Sequence, residues 1–198
     1  MIVGLKNCVM RIARLQVVRA ASLLVLLILG SVLAAAQKAS PTESQVKAAY
    51  LYNFGKFVRW EGDRAVSPDS LEICVLGKDP FGAVLDATVE GESIAGKKIT
   101  VRRLSTVQES ARCSILFVGT SEESRLAPIL SVSQRQGVLT VSDIPHFAER
   151  GGIIGFVMQQ DRIRFEVNRG AAEQSHLVLS SELLKVASKV IEKVPPQT

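Results

Sequence analysis

Short apolar segments alternate with helix-forming stretches between residues 71 and 141, and this alternation most constrains the fold. The segments are compact and rich in β-branched residues, as is typical of buried strands; they are 71–76, 98–104, 113–118 and 138–141. Strands separated by helices form crossover units, which lie parallel in one sheet and place helices on its faces. The sequence therefore predicts an α/β fold built on four mainly parallel strands.

Helices are predicted before and between these strands. The first begins at the start signal Ser40-Pro41-Thr42-Glu43 and is predicted to run to Trp60, because apolar residues recur at three- and four-residue steps. Shorter helices are predicted over residues 83–88, 122–134 and 145–150. These stretches supply the helices that cover the sheet.

The pattern changes after Gly151-Gly152. Residues 153–158 and 162–167 are two strand-like runs separated by three residues, which predicts a β-hairpin beside the parallel strands. Helices over 169–176 and 180–193 follow. The predicted fold class is α/β: a single domain over residues 37–198, with a mainly parallel sheet flanked by helices and a C-terminal β-hairpin and helix.

Residues 1–36 have the order of a secretory signal. Lys6, Arg11, Arg14 and Arg19 precede an apolar run, and Ala34-Ala35-Ala36 then offers small side chains before Gln37. The prediction is a cleaved signal and a periplasmic location. An uncleaved membrane anchor is the alternative, since the uncharged run from 20 to 37 is only marginally long enough to span a bilayer core of roughly 30 Å.

Removing this segment changes the charge argument. The chain has 24 Lys plus Arg and 19 Asp plus Glu, and four of the basic residues but no acid lie in the first 36 positions. The remainder therefore has 20 basic against 19 acidic residues. A nucleic-acid-binding domain normally keeps a clustered basic excess, so the charge balance argues strongly against that class.

Cys74 and Cys113 are the only cysteines after the signal. A pair that enters an oxidising compartment is most simply a disulfide, with two buried free thiols as the alternative. A metal site is disfavoured, because these cysteines and the scattered His146 and His176 lack the close spacing of a zinc motif.

Enzyme motifs are absent from the sequence. It contains no G-x-S-x-G, its glycine cluster at 151–155 lacks G-x-G-x-x-G, and the loop 77–82 does not end in G-K-[ST]. The prediction is a protein without catalytic residues, metal or cofactor. A hydrolase whose nucleophile, histidine and acid meet only in space stays a minor alternative.

Two glycine-containing loops are candidate pocket elements. Each follows a predicted parallel strand, and ligands in open α/β sheets bind beyond the carboxyl ends of strands at a switch point. The candidates are Gly77, Lys78 and Asp79 in one loop and Gly119, Thr120 and Ser121 in the other. Glycines in such turns also serve structure alone, so the motif is weak.

The order of segments over nearly all of residues 43–187 resembles the YfiR/HmsC-like family. The matching segments are 43–54 with 57–60, 73–77 with 79–82, 113–118, 138–143, 147–148, 151–154, 163–168 with 171–172, and 180–187. The resemblance implies a small periplasmic α/β protein that binds the periplasmic sensor domain of a membrane diguanylate cyclase and represses it. Such repression lowers cyclic di-GMP and biofilm formation.

The leading hypothesis is therefore a regulator that acts by protein contact on an inner-membrane sensor, either a diguanylate cyclase or a kinase. The alternative is a small-solute-sensing protein accessory to a membrane sensor kinase. A homodimer and a small-molecule ligand are compatible with both. Charge and pattern suggest four candidate contact residues: Arg59, Arg162, Arg164 and His176.

Overall fold

The computed structural model describes residues 40–61 and 70–192. The predicted signal over 1–36 and the last predicted helical residue, Lys193, lie outside these ranges. The α-helices are α1 (Glu43–Phe57), α2 (Ala83–Val89), α3 (Leu126–Arg135), α4 (Arg169–Gln174) and α5 (Ser181–Val186), with 3-10 helices at Val107–Arg112 and Thr120–Arg125. The strands are β1 (Val58–Trp60), β2 (Ser70–Leu76), β3 (Ser93–Ile94), β4 (Lys97–Leu104), β5 (Ile115–Val118), β6 (Leu139–Ser142), β7 (Ile154–Gln159), β8 (Arg162–Asn168), β9 (Leu177–Leu179) and β10 (Lys189–Ile191).

Eight strands form the main sheet in the order β10-β8-β7-β6-β5-β2-β4-β3. Strands β4, β2, β5 and β6 are parallel, and β7 and β8 form an antiparallel hairpin next to them. Both findings confirm the predicted α/β class with its parallel strands and C-terminal hairpin.

The parallel strands end together at one edge. In register, Leu76 of β2 lies opposite Leu104 of β4 and Val118 of β5, and Val118 lies opposite Ser142 of β6. Strand β7 pairs with β6 only through its first two residues, so the rest of the β7–β8 hairpin extends beyond this edge.

A hydrophobic core lies on each face of the sheet. On the α1 face, Leu51 and Phe54 of the helix pack with alternate residues of the central strands, such as Ile73 and Phe117. On the other face, α3 packs through Ile129 against the strand residues that point the opposite way. This two-sided burial explains why the central strands are almost continuously apolar.

Helix α1 begins where the sequence predicts but ends earlier. The hydroxyl of Thr42 accepts from the Gln45 amide, and the Gln45 side chain accepts from the Thr42 amide, which completes a capping box. The prediction of a helix to Trp60 is wrong, because residues 58–60 form β1 and pair antiparallel with β9. Val and Trp suit an extended backbone when a partner strand is present.

Two further helix predictions are corrected. Residues 145–150 form turns, in which His146 has a φ of 58°, a left-handed value that a right-handed helix does not tolerate. The helix predicted over 180–193 stops at Val186, and Lys189–Ile191 instead form β10, parallel to β8 at the sheet edge. The helix predicted over 122–134 is a 3-10 turn followed by α3.

Among the described residues, no helix is both long enough and apolar enough to cross a membrane.

Candidate functional site

The two predicted pocket loops lie side by side at the carboxyl edge of the sheet. The chain passes from β2 to β4 on one side and then to β5 on the other side, so β2 and β5 flank the switch point of the sheet. Residues 77–79 follow β2 and residues 119–121 follow β5. The structure therefore brings together the six residues that the sequence analysis placed in these loops.

These loops pack directly against each other. The Gly119 amide donates to the carbonyl of Leu76 at 2.8 Å, and the Lys78 amide donates to Oγ of Ser121 at 2.8 Å. Gly77 has a φ of +83°, and a Cβ atom there would lie only 2.4 Å from Oγ of Ser121. The two loops therefore leave no room for a ligand between them, and any cavity must lie to one side of them.

The carboxylate of Asp79 is fixed in place by contacts within the protein. Its Oδ1 atom accepts from the Phe81 amide at 2.7 Å, and its Oδ2 atom lies 3.0 Å from Nε of Arg103. The same guanidinium donates to both carboxylate oxygens of Asp86 and to the carbonyl of Gly82. These hydrogen bonds lower the pKa of Asp86 below its usual value. Arg103 thus ties the loop after β2 to helix α2.

A cavity of about 220 Å³ lies on the α1 side of the loops. The N-terminal turn of α1, the carboxyl ends of β5 and β6, and the overhanging β7–β8 hairpin enclose it. It is lined by Glu43, Lys47, Thr120, Asp143, Phe156, Val157, Met158 and Ile163. Thr120 is the one member of this lining that the sequence analysis proposed.

Lys47 is the central charged group of this cavity. Its side chain is only 8% exposed, yet Nζ pairs with Glu43 one turn earlier and lies 2.6 Å from Oδ2 of Asp143. Burial alone would lower the pKa of Lys47, but the hydrogen bonds to Asp143 and Glu43 outweigh it and raise the pKa. The ammonium also lies 5.9 Å from the ring centroid of Phe156. Lys47 is therefore a buried cation.

A second cavity of about 210 Å³ lies on the opposite face of the sheet. Its lining combines apolar residues with hydroxyl and amide groups: Leu76, Ser105, Thr106, Val107, Gln108, Glu122, Arg125, Pro128 and Ile129. The buried carboxylate of Glu122 faces it and pairs with Arg125 at 2.6 Å. This pair already neutralises the charge of that cavity.

The four predicted contact residues fall into two pairs, one at the β1–β9 ribbon and one on β8 of the main sheet. Arg59 lies on β1 and pairs with exposed Glu61, whose amide donates to the carbonyl of His176 just before β9. Arg162 and Arg164 are exposed on β8. The structure thus brings Arg59 near His176 and Arg162 near Arg164.

Exposed apolar residues beside Arg59 were not predicted. Phe57, at the end of α1, and Val178, opposite Arg59 in the β1–β9 ribbon, are each 37% exposed. We call this surface, formed by Phe57, Arg59, Glu61, His176 and Val178, the ribbon surface. The sequence signal that could have identified it is the three-residue apolar run 177–179, which has the length of a short strand.

Cys74 and Cys113 form a disulfide with a Cα–Cα distance of 5.8 Å, which confirms the predicted pair. Glu72 lies close to both sulfur atoms, but the sulfurs are bonded to each other and Glu72 pairs with Arg102 at 3.3 Å. Among the described residues, the His146 ring contacts Glu149 at 3.0 Å, and no hydroxyl or thiol is hydrogen-bonded to either histidine.

Comparisons with known proteins place the chain in a family. No curated protein matches it. Among solved structures, a conserved domain protein from Vibrio cholerae and an ABC domain in complex with L-Trp from Streptococcus pneumonia are each 14% identical, with TM-scores of 0.48. They cover 64% and 73% of this chain, which spans only 57% and 60% of theirs. A family model described as YfiR/HmsC-like matches residues 44–188. Because this match spans most of its length, the chain belongs to the YfiR/HmsC-like family.

Proposed function

We propose that this protein is an exported periplasmic regulator that binds the periplasmic sensor region of a membrane signalling protein. Its target is a diguanylate cyclase, which it represses, so that cyclic di-GMP falls. The observation that carries the proposal is the family match over residues 44–188, since this family is known for periplasmic regulators of cyclic di-GMP signalling. The predicted signal over 1–36 supports the location.

The ribbon surface suits protein contact. It presents the exposed apolar side chains of Phe57 and Val178 together with the charges of Arg59 and Glu61. An apolar centre with a polar rim is the usual anatomy of a protein interface, and arginine is enriched among residues that dominate binding energy. The exposed Arg162 and Arg164 offer a second positive site for an acidic partner surface.

The experiment measures cyclic di-GMP in cells that lack the gene and in cells that express it from a plasmid. We expect the nucleotide level to rise on deletion and to return on expression. A pull-down from solubilised membranes, with the purified protein as bait, should retain a diguanylate cyclase. Unchanged cyclic di-GMP in both strains would refute repression.

Variants then locate the surface. Replacing Arg59, Arg162, Arg164 and His176 together by Ala should weaken partner binding and derepress the cyclase. The control is Arg135→Ala, which removes an exposed arginine that hydrogen-bonds to Ser131 on its own helix. Equal partner affinity of the quadruple variant and the control would exclude these four residues from the interface.

A further inference from the structure

The cavity around Lys47 has a net negative charge that its own residues do not cancel. Glu43 and Asp143 each use one carboxylate oxygen to pair with the single ammonium of Lys47. The other oxygens, Oε2 of Glu43 and Oδ1 of Asp143, accept no hydrogen bond from any described residue. Two carboxylates against one ammonium leave one negative charge, which disfavours a ligand that carries an anionic group.

The opposite wall of the cavity is apolar. Phe156 is buried and shows the face of its ring toward the ammonium of Lys47, while Met158 is 58% exposed although it lies in a strand beside the cavity. Ile163, which is opposite Met158 in the hairpin, completes this wall. An aromatic face and a thioether next to carboxylates suit a ligand with an apolar body and a cationic head.

The position of the cavity also fits a ligand site. It lies beyond the carboxyl ends of parallel strands β5 and β6, where ligands bind in open α/β sheets. Its volume of about 220 Å³ is below the range of drug-sized pockets, so the ligand must be small. Thr120 adds a hydroxyl at the rim.

We propose that this cavity binds a small organic ammonium ion, a primary amine with an apolar body. The ammonium lies against the two free carboxylate oxygens of Glu43 and Asp143, and the body lies against Phe156, Met158 and Ile163. This site goes beyond the proposed repression of a cyclase. It also lies at the other end of α1 from the ribbon surface, since Glu43 and Lys47 are in the first two turns and Phe57 ends the helix.

The test uses three probes that share a phenyl body: 2-phenylethylamine, phenylalanine and 3-phenylpropionate. Calorimetric titration of the purified protein should detect binding of the amine at millimolar or lower concentration. We expect binding of the zwitterion and the anion to be at least about tenfold weaker, because each brings a carboxylate to a negative site. Equal or tighter binding of 3-phenylpropionate, or no binding of the amine, would overturn the proposal.

Matched variants test the two walls. Glu43→Gln and Asp143→Asn should each weaken amine binding by about tenfold, since each removes a charge-assisted hydrogen bond. Glu90→Gln, an exposed carboxylate outside the cavity, should leave it unchanged. Met158→Ala should weaken binding several-fold, whereas Val186→Ala, which is equally exposed elsewhere, should not.

The outcomes separate this site from the proposed function. Asp143→Asn also breaks a structural ion pair, so the Glu43 and Met158 variants, which change exposed side chains, decide the result if that variant unfolds. Amine affinity that is equal in these two variants and in their controls would refute the site. Cyclic di-GMP levels in cells test repression independently, because the calorimetric readout requires no cyclase.

Discussion

The ammonium nitrogen of Lys47 lies 2.6 Å from the Oδ2 atom of Asp143, although the two residues are 96 positions apart. Lys47 lies in the second turn of α1, and Asp143 follows β6 directly. The pair therefore fixes the start of the first helix over the carboxyl edge of the sheet. Because the Lys47 side chain is buried, water replaces this contact poorly when it is lost.

Replacing Lys47 by Met should destabilise the protein. The variant leaves the carboxylates of Asp143 and Glu43 without the ammonium that they share. Both carboxylates keep some access to water, so the free energy of unfolding should fall by about 1–3 kcal/mol. Urea unfolding followed by circular dichroism measures this change. Lys185→Met, which removes an exposed lysine from α5, should change it by less than about 0.5 kcal/mol.

The double variant Lys47→Met/Asp143→Asn provides the cycle for this pair. Two residues in direct contact should show a coupling free energy, so the double variant should lose less stability than the sum of the single losses. Additive losses would show that the two side chains act independently and would contradict a stabilising ion pair between Lys47 and Asp143.

The Arg103–Asp86 pair predicts a specific pH dependence. Its hydrogen bonds lower the pKa of Asp86 below the usual 3.8, so the folded state favours the ionised carboxylate. The stabilisation is present above the unfolded-state pKa and is lost as pH falls through the lower folded-state pKa. The stability difference between the wild type and Asp86→Asn should therefore shrink as pH is lowered from about 7 to about 3.

Chemical unfolding at a series of pH values measures this difference. Asp161→Asn is the control, because Asp161 is exposed in the hairpin turn, pairs with no described cation, and Asn tolerates its φ of 57°. A difference for Asp86→Asn that stays constant with pH would contradict the pairing with Arg103.

Two glycines with similar backbone angles should respond differently to substitution. Gly77 and Gly91 have φ of +83° and +73°, so Ala is strained at both and should cost about 1 kcal/mol through the backbone alone. At Gly77 the new Cβ would also meet Ser121 and Glu122 within 3 Å, whereas nothing lies within 4 Å at Gly91. Thermal and urea unfolding should thus show a clearly larger loss for Gly77→Ala. Equal losses of stability would show that the loop after β2 is not tightly packed against the loop after β5.

The central strands could be predicted from the sequence because their apolar composition is a local signal. Residues 71–76 and 113–118 lie in the middle of the sheet, where both faces are covered, and their composition alone identifies them. The short strands β1 and β10 were missed, because residues 58–60 and 189–191 become extended only through pairing with β9 and β8. Such pairing is a tertiary effect that overrides local helix patterns.

The Lys47 cavity could be predicted only in part. The position of Thr120 after a parallel strand indicated the correct edge of the sheet, but Lys47 is not one of the apolar residues that recur along α1, and no motif marks it. Its burial depends on Asp143 and on the overhang of the β7–β8 hairpin past β6. Neither the length of this overhang nor the contact across 96 residues is encoded in a local pattern.

The disulfide between Cys74 and Cys113 predicts a loss of stability without a loss of function. It joins β2 to Cys113, which lies two residues before the adjacent strand β5, and it closes a loop with a sequence separation of 39. In the chain-entropy model such a loop is worth about 3–4 kcal/mol, which corresponds to a melting temperature lower by roughly 10 °C in a domain of this size. Scanning calorimetry of Cys74→Ser should show this decrease, and Cys113→Ser should match it.

Both sulfurs are fully buried, so partner binding should survive at temperatures where the variants stay folded. Thiol titration of the exported, denatured wild-type protein gives the direct check, since two reactive thiols per chain would contradict the bond and none would support it.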